Sequence, residues 1–125
     1  MQVNLFDLAA KQADWLSVRQ SAIAGNIANV NTPGYRAVDV EPFSKVLDGN
    51  RVSLQATQAS HLVDGAGSEA VAVRQRDDQG KVLPSGNSVV LETELLDAGE
   101  VHRAFELNTA IVKAFNHMTM LVSKA

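Results

Sequence analysis

The sequence GNIANVNTPGYRA, Gly25 to Ala37, closes a run of helical periodicity and closes it abruptly. Pro33 pushes Thr32 out of the helical region, so a helix ends at or just before that residue. Gly34 permits positive φ, and Pro-Gly in succession suits a type II turn. Asn29 and Asn31 have short amides that bond to backbone groups where helical partners run out. Asn26 differs from them, because it lies a turn earlier, on or beside the apolar face. A buried amide there has to find partners, and in finding them it sets the register of whatever packs against it.

Upstream, Phe6, Ala9, Ala13, Leu16, Gln20, Ile23, Ile27 and Val30 recur at steps of three or four and predict a helix over 5–30. Asn4 is suited to cap it, and Asp7 is favourable near its positive end. A second periodic segment spans about 92–123. There Val101, Ala104, Asn108, Ile111, Phe115, Met118 and Val122 form one face, widened by Leu107, Ala110, Ala114 and Leu121. A helix this apolar around its circumference needs more than one neighbour. Gly99 costs about 1 kcal/mol relative to Ala, so the regular part is expected to begin after it.

The middle, from about 43 to 90, holds turn signals at Asp48-Gly49-Asn50, Gly65 to Ser68, Asp77 to Gly80 and Pro84 to Asn87. Between them RVSLQA, EAVAVRQR and KVL alternate as short strands do and suit small hairpins. The chain therefore reads as one mainly α domain in three parts. Residues 5–30 form an N-terminal helix, 31–90 a turn and an irregular or weak-β insert, and 91–125 a C-terminal helix. The two long helices are expected to pair as a coiled-coil-like hairpin. The greatest burial potential thus lies in the terminal segments, a pattern expected of subunits whose helices pack between copies.

Composition narrows the function. The 125 residues are 46% apolar but only 5% aromatic, so the core is built from small aliphatic side chains. A net charge of −3 without a basic run argues against a nucleic-acid partner. The absence of cysteine removes disulfides and thiolate chemistry. Asp7, Lys11 and Asp14 interrupt the apolar residues at the start, unlike a cleaved signal peptide, so export, if it occurs, is expected by another route. No apolar run is long enough to cross a bilayer.

No catalytic constellation emerges. His102 and Glu106 are spaced four apart on a helix, which reads as a surface pair. Glu92, Glu94, Asp97 and Glu100 gather near the start of the second helix, where the dipole favours negative charge and the face is expected to be solvated. Asp39 and Glu41 lack an accompanying base or ligand. GAGS at 65–68 lacks the lysine of a phosphate loop, and no serine stands in a Gly-x-Ser-x-Gly elbow. Trp15 is expected to be a packing anchor. No cofactor, metal or small-molecule substrate is expected.

ANVNTPGYRA closely resembles the Ala-Asn-x-x-Thr-Pro-Gly-Tyr signature that follows the N-terminal helix of bacterial flagellar axial proteins, the rod and hook components. The short length, ASHL at 59–62 and GNSVVLETELL at 86–96 are similar to the small proximal rod subunits of that family. The resemblance implies a structural, non-enzymatic subunit whose terminal helices pack with copies of itself and with other rod subunits. It implies export through the type III apparatus without a cleaved signal, and a place in the periplasmic rod near the MS ring and export gate. The motif positions Asn26, Asn29, Thr32, Pro33, Gly34 and Tyr35 would stop the helix and turn the chain. Phe6, Leu16, Ile23, Ile27, Val101, Ile111, Phe115, Met118 and Val122 are the candidate assembly residues. The alternatives are another rod subunit of the same family, or a soluble helical binding module or small enzyme that happens to contain this turn.

Overall fold

The computed structural model describes residues 4–49, 71–77 and 82–125. Their elements are α1 (Leu5–Ala28), β1 (Val38–Val40), α2 (Phe43–Gly49), β2 (Val73–Gln75) and α3 (Leu91–Ser123). The protein is mainly helical, with the long terminal helices paired and a small two-stranded antiparallel sheet between them in sequence.

Asn4 caps α1 as its sequence suggests: its Oδ1 accepts the Phe6 N–H at 3.0 Å. The helix ends at Ala28, two residues short of the expected end, with Asn29 as its cap. The second helix runs unbroken from Leu91 through Gly99, so the expectation that regular structure begins after the glycine is corrected. Good helix formers on both sides and the packing of Ala98, Val101 and Ala104 against the core outweigh a glycine cost of about 1 kcal/mol.

α1 and α3 are antiparallel. Asn26 meets Glu94 at one end, Arg19 meets Asp97 and Glu100, Asn108 meets Ala9, and Phe6 meets Phe115 edge-on with ring centroids 5.2 Å apart. With 24 residues α1 is about 36 Å long, whereas the 33 residues of α3 reach about 50 Å. Beyond Phe115, α3 therefore runs on for about 12 Å past the start of its partner.

The shared core is small. Leu16, Ile23 and Val101 are its buried members, with Trp15, Ile27, Ala98, Ala104 and Phe105 packed around them. Full burial of such aliphatic side chains contributes about 1.5–3 kcal/mol each, so polar contacts have a large say in how the hairpin closes. Asn108, the polar interruption in the α3 face, is one: its Nδ2 donates to the Ala9 carbonyl at 3.1 Å.

The sheet pairs Val38 with Gln75, Asp39 with Arg74 and Val40 with Val73. β2 lies inside EAVAVRQR, as the alternation suggests, and among the described residues its partner is β1, a segment far upstream. Val82 and Leu83 of KVL are not in a strand, and RVSLQA lies outside the described residues. The seven-residue α2 was not foreseen. It starts after Pro42, whose carbonyl accepts the Lys45 N–H, and it brings Phe43 against Trp15 at 5.7 Å. Trp15 is an anchor with a polar handle: its Nε1 donates to the Glu41 carbonyl at 2.6 Å.

Candidate functional site: the turn hub and the uncovered face of α3

The end of α1 is built by its asparagines. Asn29 Nδ2 donates to the Gly25 carbonyl at 2.8 Å, and its Oδ1 accepts from the Thr32 hydroxyl at 3.1 Å. Pro33 and Gly34 then occupy the centre of a turn closed by the Tyr35 N–H to the Thr32 carbonyl at 3.2 Å. Gly34 has φ +76°, as a type II turn requires at that position. The turn sends the chain back along α1, so that the Tyr35 hydroxyl and the backbone of Val38 arrive beside Asn26.

Asn26 is wholly buried. Its Nδ2 donates to the Val38 carbonyl at 2.8 Å and to Glu94 Oε2 at 3.1 Å. Its Oδ1 accepts from the Val38 N–H at 3.0 Å and the Tyr35 hydroxyl at 3.3 Å. One amide thus joins α1, the turn, β1 and α3, with its full donor capacity in use. The stretch carries an asparagine before its turn because this side chain sets how α1, β1 and α3 are placed.

Glu94 corrects the expectation of a solvated acidic face. Glu92 and Glu100 are exposed, but Glu94 is fully buried. Its Oε1 accepts from Arg76 Nη1 at 2.8 Å, and Arg76 also approaches Asp39 and Asp97 at 3.8 and 3.6 Å. Arg76 directly follows β2, and its N–H bonds to the Ala37 carbonyl at 2.8 Å, so the insert is pinned at the same point. An ion pair between Arg74 and Glu41 holds the far side of the sheet.

A second asparagine was missed in the sequence except as part of a turn signal. Asn87, also buried, directs Nδ2 at the carbonyls of Asn29, Val30 and Thr32, at 2.9, 3.1 and 2.8 Å. It caps the end of α1 from a distant segment, where the last carbonyls lack helical partners. Its Oδ1 accepts the Val89 N–H at 2.7 Å. Ser88 Oγ accepts the Ala37 N–H at 2.8 Å, and the Gly34 N–H donates to the Ser85 carbonyl at 2.9 Å. The two turns touch: a Cβ on Gly86, which has φ +82°, would stand 3.2 Å from the Cα of Gly34.

The candidate assembly residues fall into two groups. Leu16, Ile23 and Val101 are buried within the subunit, with Ile27 packed beside them, so these side chains are spent on the hairpin and do not lie on its surface. Phe115, half-buried, meets Phe6 across it. Ile111, Met118 and Val122 remain exposed, at 43, 55 and 76%, together with Leu107, Met120 and Leu121. All but Met120, which lies on the opposite side of the helix, form one apolar face of α3 that α1 leaves uncovered. Exposed apolar surface of this extent marks an interaction site.

His102 and Glu106 pair at 3.2 Å on the surface, both largely exposed. Among the described residues no three His, Asp or Glu side chains are grouped to hold a metal ion, and no helix is long and apolar enough to cross a membrane.

Known proteins bear on the same stretch. The family described as "Flagella basal body rod protein" matches residues 15–36, the second half of α1 and its turn. Flagellar basal body rod protein FlgB of Agrobacterium fabrum is 41% identical over 126 residues, covering 98% of this chain and 94% of the relative. Its counterpart from Buchnera aphidicola subsp. Baizongia pistaciae is 26% identical over 105 residues, 75% of this chain and 74% of that one. Similarity of this extent along nearly the whole of two chains, and a family match centred on the Asn26 hub, make this chain a member of the FlgB family of flagellar basal body rod proteins.

Proposed function

We propose that this subunit sits at the proximal end of the rod, where it links other rod subunits and copies of itself to the MS ring and the export gate. The observation that carries the reading is the apolar face of α3 at Ile111, Met118 and Val122, which no part of the described chain covers. Such surface is costly in water and is satisfied when neighbouring helices close over it. The printed name of both relatives, flagellar basal body rod protein FlgB, supports a place in the rod. The role is mechanical: the hub fixes the angle at which the helices leave the turn, and a helical assembly repeats any angular error at every subunit.

We also propose that the chain passes the type III export apparatus and enters the periplasmic rod without removal of a leader. A small core held by hydrogen bonds suits a subunit that travels unfolded. The test is Ile111→Asp with Val122→Asp, two exposed positions whose change spares the core. The expected result is an unchanged melting temperature, loss of motility and basal bodies without rods. Normal flagella in that strain would overturn the reading, and crosslinking only to distal rod subunits would favour another rod position.

A further inference from the structure

A cleft of about 240 Å³ opens among the described residues beside the hub, with Arg19 of α1, Asp39 of β1, Arg76, Ser88, and Thr93 and Asp97 of α3 along its polar wall. At about 30 Å³ per water it has the space of about eight waters, enough for one long side chain and too little for a helix. Two of its polar groups are left unsatisfied from within. The Asp97 side chain is only 22% exposed, yet its Oδ1 stands 3.8 Å from Arg19 Nη2 and its Oδ2 3.6 Å from Arg76 Nη2, beyond hydrogen-bond reach. The half-buried Thr93 hydroxyl has no hydrogen-bond partner among the described residues.

Charge decides what such a cleft takes. Asp39, Glu94, Asp97 and Glu100 bring four carboxylates to the guanidiniums of Arg19 and Arg76, an excess of two negative charges. Arg74, opposite Asp39 in the sheet, is held by Glu41. An incoming anion would meet guanidiniums already engaged, whereas a cation meets carboxylate oxygens with lone pairs to spare.

Building on the rod reading, we propose that this cleft is a socket for one lysine or arginine side chain of a neighbouring rod subunit. Its ammonium or guanidinium donates to the Asp97 and Asp39 carboxylates and to the Thr93 hydroxyl oxygen. The socket is separate from the apolar face of α3, since Asp97 lies about 21 Å along the helix from Ile111. Apolar helices slide past one another at little cost, and a single cation seated beside the hub fixes the register of the neighbour.

The probe is N-acetyl-arginine amide, titrated into the isotopically labelled full chain. N-acetyl-citrulline amide, neutral and of nearly the same shape, is the control. The expected result is saturable nuclear magnetic resonance shifts of the Thr93 and Asp97 amides at millimolar arginine amide, and none with the citrulline amide. Asp97→Asn should weaken binding about tenfold. Thr93→Val should weaken it about threefold at an unchanged melting temperature, which keeps the test valid if Asp97→Asn disturbs the fold. Thr93→Lys supplies a cation from within, so it should abolish the shifts and leave cells without rods. No saturable shift with arginine amide, equal shifts with citrulline amide or with acetate, or normal rods in the Thr93→Lys strain would overturn the proposal. If it falls while Ile111→Asp/Val122→Asp still abolishes rods, the rod reading stands. If that double variant assembles normal flagella, the rod reading falls, and with it the neighbour that the socket needs.

Discussion

Replacing Asn26 with Ala tests whether one buried amide sets the geometry of the hairpin. Truncation strands the Val38 N–H, the Val38 carbonyl and Glu94 Oε2, which now lie 2.8–3.1 Å from the amide. An orphaned buried polar group costs about 1–3 kcal/mol. Val38 is only half-buried, so water relieves part of its loss, and a combined cost of about 3–4 kcal/mol follows, well below the sum of three full penalties. Against a total stability of about 5–15 kcal/mol, that is a large fraction. The measurement is equilibrium urea unfolding followed by far-ultraviolet circular dichroism, with Tyr35→Phe as a control. The control loses only the 3.3 Å contact and should cost at most about 1 kcal/mol. Asn26→Asp is the sharper variant. It keeps the shape and the accepting oxygen, yet it turns the donor into an oxygen facing the Val38 carbonyl and the Glu94 carboxylate. It should therefore destabilise at least as much as Ala. A cost below about 1 kcal/mol for Asn26→Ala, or an Asn26→Asp chain as stable as the parent, would refute the account of the hub.

Asn87→Ala should cost about 2–4 kcal/mol by the same assay, since the Val30 carbonyl and the Val89 N–H lose their partner while the Asn29 and Thr32 carbonyls keep the Thr32 and Tyr35 N–H groups. Gly86→Ala should exceed Gly34→Ala in cost. Both have positive φ, at about 1–2 kcal/mol for a left-handed residue, but only at Gly86 would the new methyl press on another backbone, and thermal melts of the two variants decide it. Arg76→Met should lose about 3–5 kcal/mol, because it leaves the Glu94 charge buried without its ion-pair partner. Adding Glu94→Gln to that variant should recover part of the loss, measured as a urea midpoint.

Most of the helical architecture was legible along the chain. Periodicity located α1 and α3, Asn4 announced its cap, and Thr32-Pro33-Gly34 announced the turn, because caps, turns and helical faces are set by residues within a few positions of one another. Asn26 was recognisable as a polar residue on an apolar face that would need partners. Which partners it has was not. Val38, Glu94 and Tyr35 lie at three different distances along the chain, and no local pattern links them.

The misread features share that cause. Glu94 looks the same as Glu92 and Glu100 in sequence. It is buried because Asn26 and Arg76, from α1 and from the end of β2, converge on it. β1 is too short to signal itself and exists because β2 supplies its ladder, and Asn87 reads as a loop residue until the end of α1 arrives above it. Gly99 looked like a helix boundary because propensity is a local cost, while packing on either side of it is a tertiary gain. The division of the apolar residues was also a tertiary decision. Both helices are amphipathic on paper, but only their antiparallel pairing determines that Leu16, Ile23 and Val101 are consumed within the subunit, whereas Ile111, Met118 and Val122 are left over. The sequence by itself therefore determined the helices, their ends and the excess of apolar surface, which depend on neighbours in the chain. The tertiary structure decided where that surface is offered, since burial depends on which distant segment comes to lie against each face.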